Sequence, residues 1–335
     1  SPNTASTIPC VLRVRGLHVS FETESGSVLA VRGIDLDVGP GEILAVVGES
    51  GSGKTSVFSA ILGLLDPSVT TVTAECIEIM DPKTGASAGK ASSPKNLVGY
   101  IQQDAQASLD PVFTIGYQIS ETLVVRDGLS WSEARRRSVE LLDLVGIPDA
   151  ALRVKQYPHQ FSGGMCQRVA IAIAIAANPV LLVADEPTTA LDVTVQAQIL
   201  KLIQRLRDER RMSVVLITHD LGVVAELADS VVVMYAGSIV EKGPVADVFA
   251  NPRHPYTLGL MRSIPGGRSR TVEGRLYQLP GRSISAGEVS AGCAFAERCS
   301  IAQSDCRERS PSLMPVGPSH LAACFHSAEV GQLHD

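Results

Sequence analysis

Residues 161–192 read FSGGMCQRVAIAIAIAANPVLLVADEPTTALD. A serine and two glycines precede a run of small apolar residues that predicts a buried helix, which an Asn-Pro pair at 178–179 ends. Residues 180–184 then predict a short buried strand that leads to two adjacent acids, Asp185 and Glu186. Parallel α/β sheets present ligand-binding groups at the carboxyl ends of their strands, so these acids indicate a site for phosphate and magnesium. Taken alone, the pattern is also typical of an ordinary buried strand that ends in acidic residues without a functional role.

A second motif, at residues 43–55, agrees with the first. A buried strand at 43–47 is followed by GESGSGKT at 48–55, which fits the phosphate-loop pattern G-x-x-x-x-G-K-[ST] without a mismatch. The glycines allow backbone N–H groups to point at phosphate, and the helix that follows adds its positive N-terminal end. Lys54 supplies a charge for the outer phosphates, and the Thr55 hydroxyl supplies a ligand for Mg²⁺.

The composition narrows the class of protein. The chain has 335 residues, of which 45% are hydrophobic, which is enough for one large domain and a smaller one. Its net charge of −6 argues against nucleic acid as the main partner. No apolar run is long enough to span a membrane, and residues 1–9 resemble a flexible lead-in without a secretory signal. We therefore expect a cytosolic location.

The remaining pattern predicts further strands and helices around the two motifs. Residues 104–177 form a mostly helical insert, in which Ser130 and Glu133 predict a capping box. The other predicted elements are an antiparallel edge at 11–21 and 28–38, strands at 98–101 and 213–218, a long helix at 192–210 and a hairpin at 230–242.

Six motifs in order resemble those of the nucleotide-binding subunits of ABC transporters. They are Walker A at 48–55, the glutamine loop at Gln103, the signature FSGGM at 161–165 (more often LSGGQ), Walker B at 180–185 followed by Glu186, the D-loop at 190–192 and the switch histidine His219. The resemblance implies an α/β fold of the ABC-type P-loop ATPase class at 10–250, with an antiparallel β edge subdomain and the helical insert at about 104–177. It also implies a small, irregular, Cys-rich C-terminal extension at 251–335.

The same resemblance implies roles for individual residues. Lys54 neutralises phosphate charge, Thr55, Gln103 and Asp185 serve Mg²⁺, Glu186 activates water, and His219 contacts the γ-phosphate. Phe21 is a candidate for stacking on adenine, although an edge-strand Phe is often core. The signature serves the nucleotide of the opposite subunit. The residues implied in ATP binding are Phe21, Gly48, Glu49, Ser50, Gly51, Ser52, Gly53, Lys54, Thr55, Ser56, Ser162, Gly163, Gly164, Met165 and Asp192.

Four stretches resemble the ATPases of oligopeptide and dipeptide importers in particular: FSGGM, DEPTTALD, DPVFTIG at 110–116 and NPRHPYT at 251–257. The resemblance implies a head-to-tail dimer with a second, distinct ATPase chain, two membrane permeases that face Gln103 and the helical insert, and an extracytoplasmic peptide-binding protein. The chain is then expected at the cytoplasmic face of the membrane. Cys166 departs from the relatives, which usually carry arginine there, and is expected to alter local packing or to provide an oxidisable thiol.

Four cysteines crowd into the tail: Cys293, Cys299, Cys306 and Cys324. Their spacing, C-x₅-C-x₆-C-x₁₇-C, matches neither the close pairs of structural zinc sites nor the bacterial ferredoxin pattern. Relatives with this tail carry a [4Fe–4S] cluster, which the resemblance implies here. Zinc, ligation by His320 or His326, and four unligated thiols are the alternatives.

Two other classes of function remain open on the sequence alone. One is a soluble ABC ATPase that acts on nucleic acid or in translation, although the chain has one cassette and an acidic balance. The other is a metal-cluster redox sensor. Within the importer class, nickel or sugars are alternatives to peptides.

Overall fold

The computed structural model describes residues 10–24, 26–85, 87–89, 97–264, 277–284, 286–289 and 291–332. The lead-in at 1–9, expected to be flexible, lies outside the described residues. The chain divides into two compact units. Unit 1 comprises Ser1–Arg13, Asp37–Glu42 and Glu78–Ile217, and unit 2 comprises Val14–Leu36, Ile43–Ile77 and Thr218–Asp335.

Strands and helices alternate over residues 181–235, whereas runs of strands and a run of helices precede them. The strands are β1 (Leu12–Thr23), β2 (Gly26–Val38), β3 (Ile43–Val47), β4 (Thr70–Thr73), β5 (Cys76–Met80), β6 (Ser87–Gly89), β7 (Val98–Ile101), β8 (Leu181–Asp185), β9 (Ser213–Ile217), β10 (Ser230–Tyr235), β11 (Ser238–Pro244), β12 (Met314–Pro315) and β13 (Leu321–Ala322). The helices are α1 (Lys54–Ile61), α2 (Ala105–Ser108), α3 (Ile115–Asp127), α4 (Trp131–Leu144), α5 (Ala150–Arg153), α6 (Gly163–Ile175), α7 (Val193–Arg210), α8 (Leu221–Leu227), α9 (Val245–Ala250), α10 (Pro255–Arg262), α11 (Ser304–Glu308) and α12 (Ser327–Gln332). None of these helices is both long and apolar enough to cross a membrane.

Unit 1 contains three parallel strands in the order β7, β8, β9. All five residues of β8 are buried, which explains why its first four, Leu181 to Ala184, are all apolar and do not alternate with polar residues. Helix α6 packs closely against β7 at Gly99. A Cβ at that position would lie only 2.3 Å from the carbonyl oxygen of Ala174. The middle strand β8 thus delivers Asp185 at its carboxyl end, as the sequence predicts.

Helices α2 to α6 follow one another in the chain between β7 and β8. Helix α4 begins with the predicted capping box, in which Ser130 Oγ accepts from Glu133 N (3.3 Å) and Glu133 Oε2 accepts from Ser130 N (3.1 Å). Helix α7 begins directly after Asp192, which accepts hydrogen bonds from the backbone N–H groups of Thr194 and Val195. The predicted helix at 192–210 is therefore confirmed, with Asp192 as its N-cap.

In unit 2, β10 pairs in parallel with β3 and forms an antiparallel hairpin with β11. Strand β13 extends this sheet beside β11, and β1 pairs with β4 in a second, antiparallel sheet. The core beneath the first sheet includes Val47, Val233, Tyr235, Tyr256 and Phe295, each at most 2% exposed. Tyr256 and Phe295 come from the tail, so its described residues contribute to the core that also contains Val47 at the end of β3, and the domain boundary at 250 stays a prediction.

Candidate nucleotide site and cysteine cavity

Two glycines of the phosphate loop in unit 2 are required by close packing. Gly48 has a φ of 156°, and a Cβ there would lie 2.3 Å from the carbonyl oxygen of Met234 in β10. Gly53 has a φ of 96°, and its Cβ would lie 2.9 Å from the carbonyl oxygen of Ala30 in β2. The loop is thus held against two strands at positions that no side chain fits, while Ser50, Gly51 and Thr55 remain exposed.

Lys54 opens helix α1 and turns its side chain back into the loop. Its Nζ donates hydrogen bonds to the carbonyl oxygens of Gly48 (2.7 Å) and Glu49 (2.9 Å), and it lies 3.5 Å from Ser52 Oγ. A backbone loop with an ammonium group in its interior and a helix N-terminus at its end fits a phosphate chain. Ser56, half-buried, occupies the first turn of α1 with Thr55.

A cleft of about 360 Å³ adjoins the loop within unit 2. Gly48 and Glu49 line it together with His219 and Leu260, so the structure brings the predicted switch histidine to the phosphate loop. This volume falls within the usual range for small-molecule sites. Phe21 is half-buried on β1 opposite Thr70, and it is not among the described residues that line the cleft. Its stacking role therefore stays a prediction.

The acids at the end of β8 lie in unit 1. Asp185 is 2% exposed, and its Oδ2 accepts a hydrogen bond from the Tyr100 hydroxyl at 3.4 Å. Glu186 has a φ of 46°, a left-handed conformation that is uncommon for residues other than glycine. Its N–H donates to the carbonyl oxygen of Ile217 at the end of β9 (2.9 Å), which fixes the turn. Backbone strain of this kind occurs often at functional sites.

Two side chains hold the Glu186 carboxylate. Gln103 Nε2 donates to Glu186 Oε2 at 3.1 Å, and Thr189 Oγ1 donates to the same oxygen at 2.8 Å. The structure thus brings the predicted glutamine-loop residue to the predicted catalytic glutamate. Sequence reasoning missed Thr189 and Tyr100, although Thr189 lies only three residues beyond the glutamate.

The signature occupies the start of α6, also in unit 1. Ser162 is exposed and caps the helix by accepting from the Met165 N–H (3.4 Å). Gly164 lets α7 approach, since a Cβ there would lie 2.6 Å from Val195 Cγ1. Cys166 is 1% exposed, and burial raises the pKa of its thiol. Cys166 is therefore packed in the protein interior, and both expected consequences stay predictions.

The four tail cysteines converge in unit 2. Cys293, Cys299, Cys306 and Cys324 line one cavity, whose walls include Phe295 and Ile301. Burial, followed by the charges of neighbouring thiols, raises the pKa values of Cys299 and Cys324, the latter to about 12. Burial also raises the pKa of Cys293. Four converging sulfur atoms form a donor set that fits a soft metal ion or an iron–sulfur cluster.

The two tail histidines differ in position. His326 lines the cysteine cavity and lies 3.1 Å from Asp305 Oδ1, and both are close to the Cys306 sulfur. His320 instead lies 2.7 Å from the buried carboxylate of Glu241 and does not line that cavity. Of the two alternative ligands, only His326 is placed beside the cysteines.

The predicted magnesium and ATP residues are thus divided between the units. Gln103, Asp185 and Glu186 belong to unit 1, whereas Lys54, Thr55 and His219 belong to unit 2. Their meeting around one Mg²⁺–ATP stays a prediction.

Comparison with known proteins agrees with these features. The ABC transporter family model matches residues 31–189, and the model for the C-terminal region of oligopeptide/dipeptide transporters matches residues 240–306. A Brucella melitensis protein named for peptide import and ATP binding is 47% identical over 96% of this chain and 98% of its own. An oligopeptide transport ATP-binding protein of Bacillus subtilis is 45% identical over 92% of this chain and 87% of its own.

A solved structure shares the fold. A dimeric ATP-binding cassette in a post-hydrolysis state, bound to ADP and phosphate, aligns with a TM-score of 0.58 and 26% identity over 70% of this chain and 98% of that chain. The chain therefore belongs to the ATP-binding proteins of ABC transporters, in their oligopeptide/dipeptide branch, and is an ABC-type ATPase.

Proposed function

We propose that this chain is an ATPase subunit that powers peptide import through partner permeases in the membrane. The observation that carries the proposal is the phosphate loop, with Lys54 in its interior and His219 on the adjoining cleft. Support for peptides as the cargo comes from the two relatives named for peptide and oligopeptide transport. Nickel or another solute is the alternative cargo.

The proposed hydrolysis needs charge neutralisation, an oriented water and exclusion of solvent. Lys54 binds the outer phosphates by exchanging its bonds to loop carbonyls for bonds to phosphate oxygens. Thr55, Gln103 and Asp185 would hold magnesium, which would neutralise further phosphate charge when bound. Glu186 orients or deprotonates the attacking water, while His219 contacts the γ-phosphate.

Gln103 and Thr189 orient the Glu186 carboxylate, because both donate to one of its oxygens. The glutamate is thus positioned before substrate arrives, which lowers the reorganisation needed during the reaction.

We further propose a head-to-tail dimer with a distinct sister chain. At the start of α6, Ser162 is exposed and Gly163 and Gly164 are half-buried, so this positive helix end is proposed to face the sister chain. Its backbone N–H groups complete the ATP site of the opposite subunit, and Met165 and Asp192 lie at the border of that site. An isolated chain is therefore expected to hydrolyse ATP slowly.

Permease docking is assigned to an aromatic surface of the helical insert. The rings of Phe113 and Tyr117 stack at 4.7 Å, and those of Tyr117 and Trp131 at 5.3 Å. All three side chains are at least 37% exposed, and Val112 beside them is 70% exposed. A cluster of exposed aromatic rings is typical of a protein-binding surface. Helices of the two permeases are the proposed occupants, which would hold the chain at the cytoplasmic face, opposite an extracytoplasmic peptide-binding protein.

The cysteine cavity is proposed to hold a [4Fe–4S] cluster, with zinc as the alternative. Cys293, Cys299, Cys306 and Cys324 would be the ligands, and the group would cross-link the tail. Anaerobic purification should give a brown protein with broad visible absorption and about four iron atoms and four sulfides per chain. A colourless protein with stoichiometric zinc would establish the alternative.

The transport proposal is tested by reconstituting the chain with its sister ATPase and permeases in vesicles. Glu186→Gln is expected to retain ATP binding but to lower hydrolysis and peptide uptake at least about 100-fold, as the loss of a general base does. Glu226→Gln, on α8, is the control and should hydrolyse normally. If the wild-type assembly takes up nickel but no peptide, the cargo assignment is wrong. If Glu186→Gln turns over normally while the sister chain's site is inactivated, the role of Glu186 is wrong.

A further inference from the structure

The tail reaches into the phosphate loop through one ion pair. Arg298 Nη1 donates to Glu49 Oε2 at 2.7 Å, and Nη2 donates to Glu49 Oε1 at 3.0 Å. The two side chains are 6% and 25% exposed. Glu49 is the second residue of the phosphate-loop motif, whereas Arg298 lies 249 positions later, directly before Cys299. A two-pronged guanidinium–carboxylate contact fixes both distance and orientation.

Arg298 is itself held on several sides. Its Nε donates to the carbonyl oxygen of Pro280 (2.7 Å), and its Nη1 also lies 3.3 Å from the Tyr235 hydroxyl. The guanidinium lies 5.7 Å from the ring centre of Phe295, which lines the cysteine cavity. These contacts leave the guanidinium little freedom, so the position of Glu49 is tied to the segment that carries Cys293 and Cys299.

The backbone of Glu49 is fixed by the tail as well. Its N–H donates to the hydroxyl of Tyr256 in α10 at 2.7 Å, and its carbonyl oxygen accepts from Lys54 Nζ at 2.9 Å. Tyr256 is fully buried and packs against Phe295, with ring centres 5.5 Å apart. A shift of Glu49 would therefore move a bond partner of the lysine that binds the outer phosphates.

The charge of Glu49 makes this pair relevant to ATP. A carboxylate on the rim of a triphosphate site repels the ligand, and the effect is strong where solvent is partly excluded. Hydrogen bonding to Arg298 is the largest cause that lowers the pKa of Glu49, so the carboxylate is ionised at neutral pH. Arg298 cancels this charge at contact distance.

We propose that Arg298 is a positioning residue for ATP: it neutralises and orients Glu49, so that the C-terminal tail sets the affinity of the phosphate loop. This inference rests on the proposed ATP binding by Lys54 and its loop. It assigns a nucleotide-dependent role to a residue of the cysteine segment, beyond the cross-linking role proposed for the cysteines.

The test is a double-mutant cycle on the full chain, with Mg²⁺–ATP binding measured by calorimetry and the free energy of unfolding measured in parallel. Arg298→Gln should weaken ATP binding at least about 10-fold, because it leaves Glu49 charged, and Glu49→Gln measures how the loop binds ATP without that charge. The double variant should return to within about threefold of Glu49→Gln. Arg282→Gln, which removes an exposed tail arginine that pairs with Glu288, is the matched control.

The outcomes separate this inference from the proposed function. If the wild-type chain binds no ATP, the proposed function fails first. If the wild type binds ATP and Arg298→Gln binds it equally well, with only its unfolding free energy lowered, the pair is purely structural and the inference is wrong. The inference is equally wrong if the double variant binds as weakly as Arg298→Gln, because removal of the Glu49 charge would then restore nothing.

Discussion

The phosphate loop and the cysteine cavity are both parts of unit 2, yet they are specified in different ways. The loop is eight consecutive residues whose glycines and lysine are fixed by contacts with their own neighbours and with β2 and β10. The cavity is assembled from cysteines spread over 293–324, and its walls come from the tail and from the start of α10. A contiguous motif can thus be read from its own residues, whereas the dispersed cysteines are predicted as one site only through the family resemblance.

The largest expected effect is on the loop itself. Lys54→Ala removes the charge that the loop encloses, and we expect ATP affinity to fall about 1,000-fold, or about 4 kcal/mol. Calorimetric titration with Mg²⁺–ATP measures it. Lys201→Ala, on an exposed position of α7, is the control and should bind like the wild type. If Lys54→Ala bound ATP as tightly as the wild type, the phosphate loop would not be part of the ATP site.

Gly48→Ala tests whether close packing against β10 requires a glycine at this position of the phosphate loop. The added methyl group would collide with the Met234 carbonyl at a φ of 156°, so the free energy of unfolding should fall by about 3 kcal/mol. Gly63→Ala is the matched control, because its φ is 67° but nothing lies within 4 Å of the added Cβ. It should cost about 1 kcal/mol. If urea unfolding showed the same loss of unfolding free energy for Gly48→Ala and Gly63→Ala, the positive φ alone, and not the collision with Met234, would account for the cost.

What could be predicted from the sequence follows the same division. Local patterns predict β3, β8, the Ser130 capping box and the Asp185–Glu186 strand end, because each depends on residues within one turn or one strand. The family resemblance predicts Gln103 and Glu186 as site residues, whereas the hydrogen bond between them is seen only in the structure.

The long-range contacts could not be predicted in the same way. The Arg298–Glu49 pair joins residues 249 positions apart, and the His320–Glu241 contact joins residues 79 apart. No local periodicity encodes such contacts, since they depend on how the tail packs Tyr256 and Phe295 into the core of unit 2. The resemblance drew attention to the cysteines, but only the fold brings them into one cavity.

A cysteine substitution tests the dispersed site. Cys306→Ser removes one of four thiol ligands, and we expect bound metal per chain to fall about 10-fold or more, since ligand number governs such sites. Cys76 is a half-buried cysteine outside the cavity, so the Cys76→Ser variant should retain as much metal per chain as the wild type. Metal analysis after anaerobic purification measures both. Full metal content in Cys306→Ser would instead favour ligation by His326 or a site elsewhere.

The smallest expected effect concerns His254, which lines the cysteine cavity and whose Nδ1 accepts a hydrogen bond from the backbone N–H of Tyr256 (3.1 Å). Burial lowers the pKa of His254 from 6.5 to about 3, so the folded state keeps it neutral. The unfolded chain therefore binds the extra proton first as pH falls, and stability that is complete above pH 6.5 is lost progressively between pH 6.5 and pH 3.

At pH 6 this linkage amounts to about 0.8 kcal/mol relative to pH 8. Urea unfolding of His254→Asn, which keeps an acceptor near the Tyr256 N–H but does not titrate, should show less of this acid loss than the wild type. The exposed His18→Asn is the control and should retain all of it. His254 borders the cysteine cavity and lies two residues before Tyr256, whose hydroxyl binds the phosphate loop. If His254→Asn loses as much unfolding free energy at acid pH as the wild type, a neutral His254 is not what stabilises this contact between the cavity and the loop.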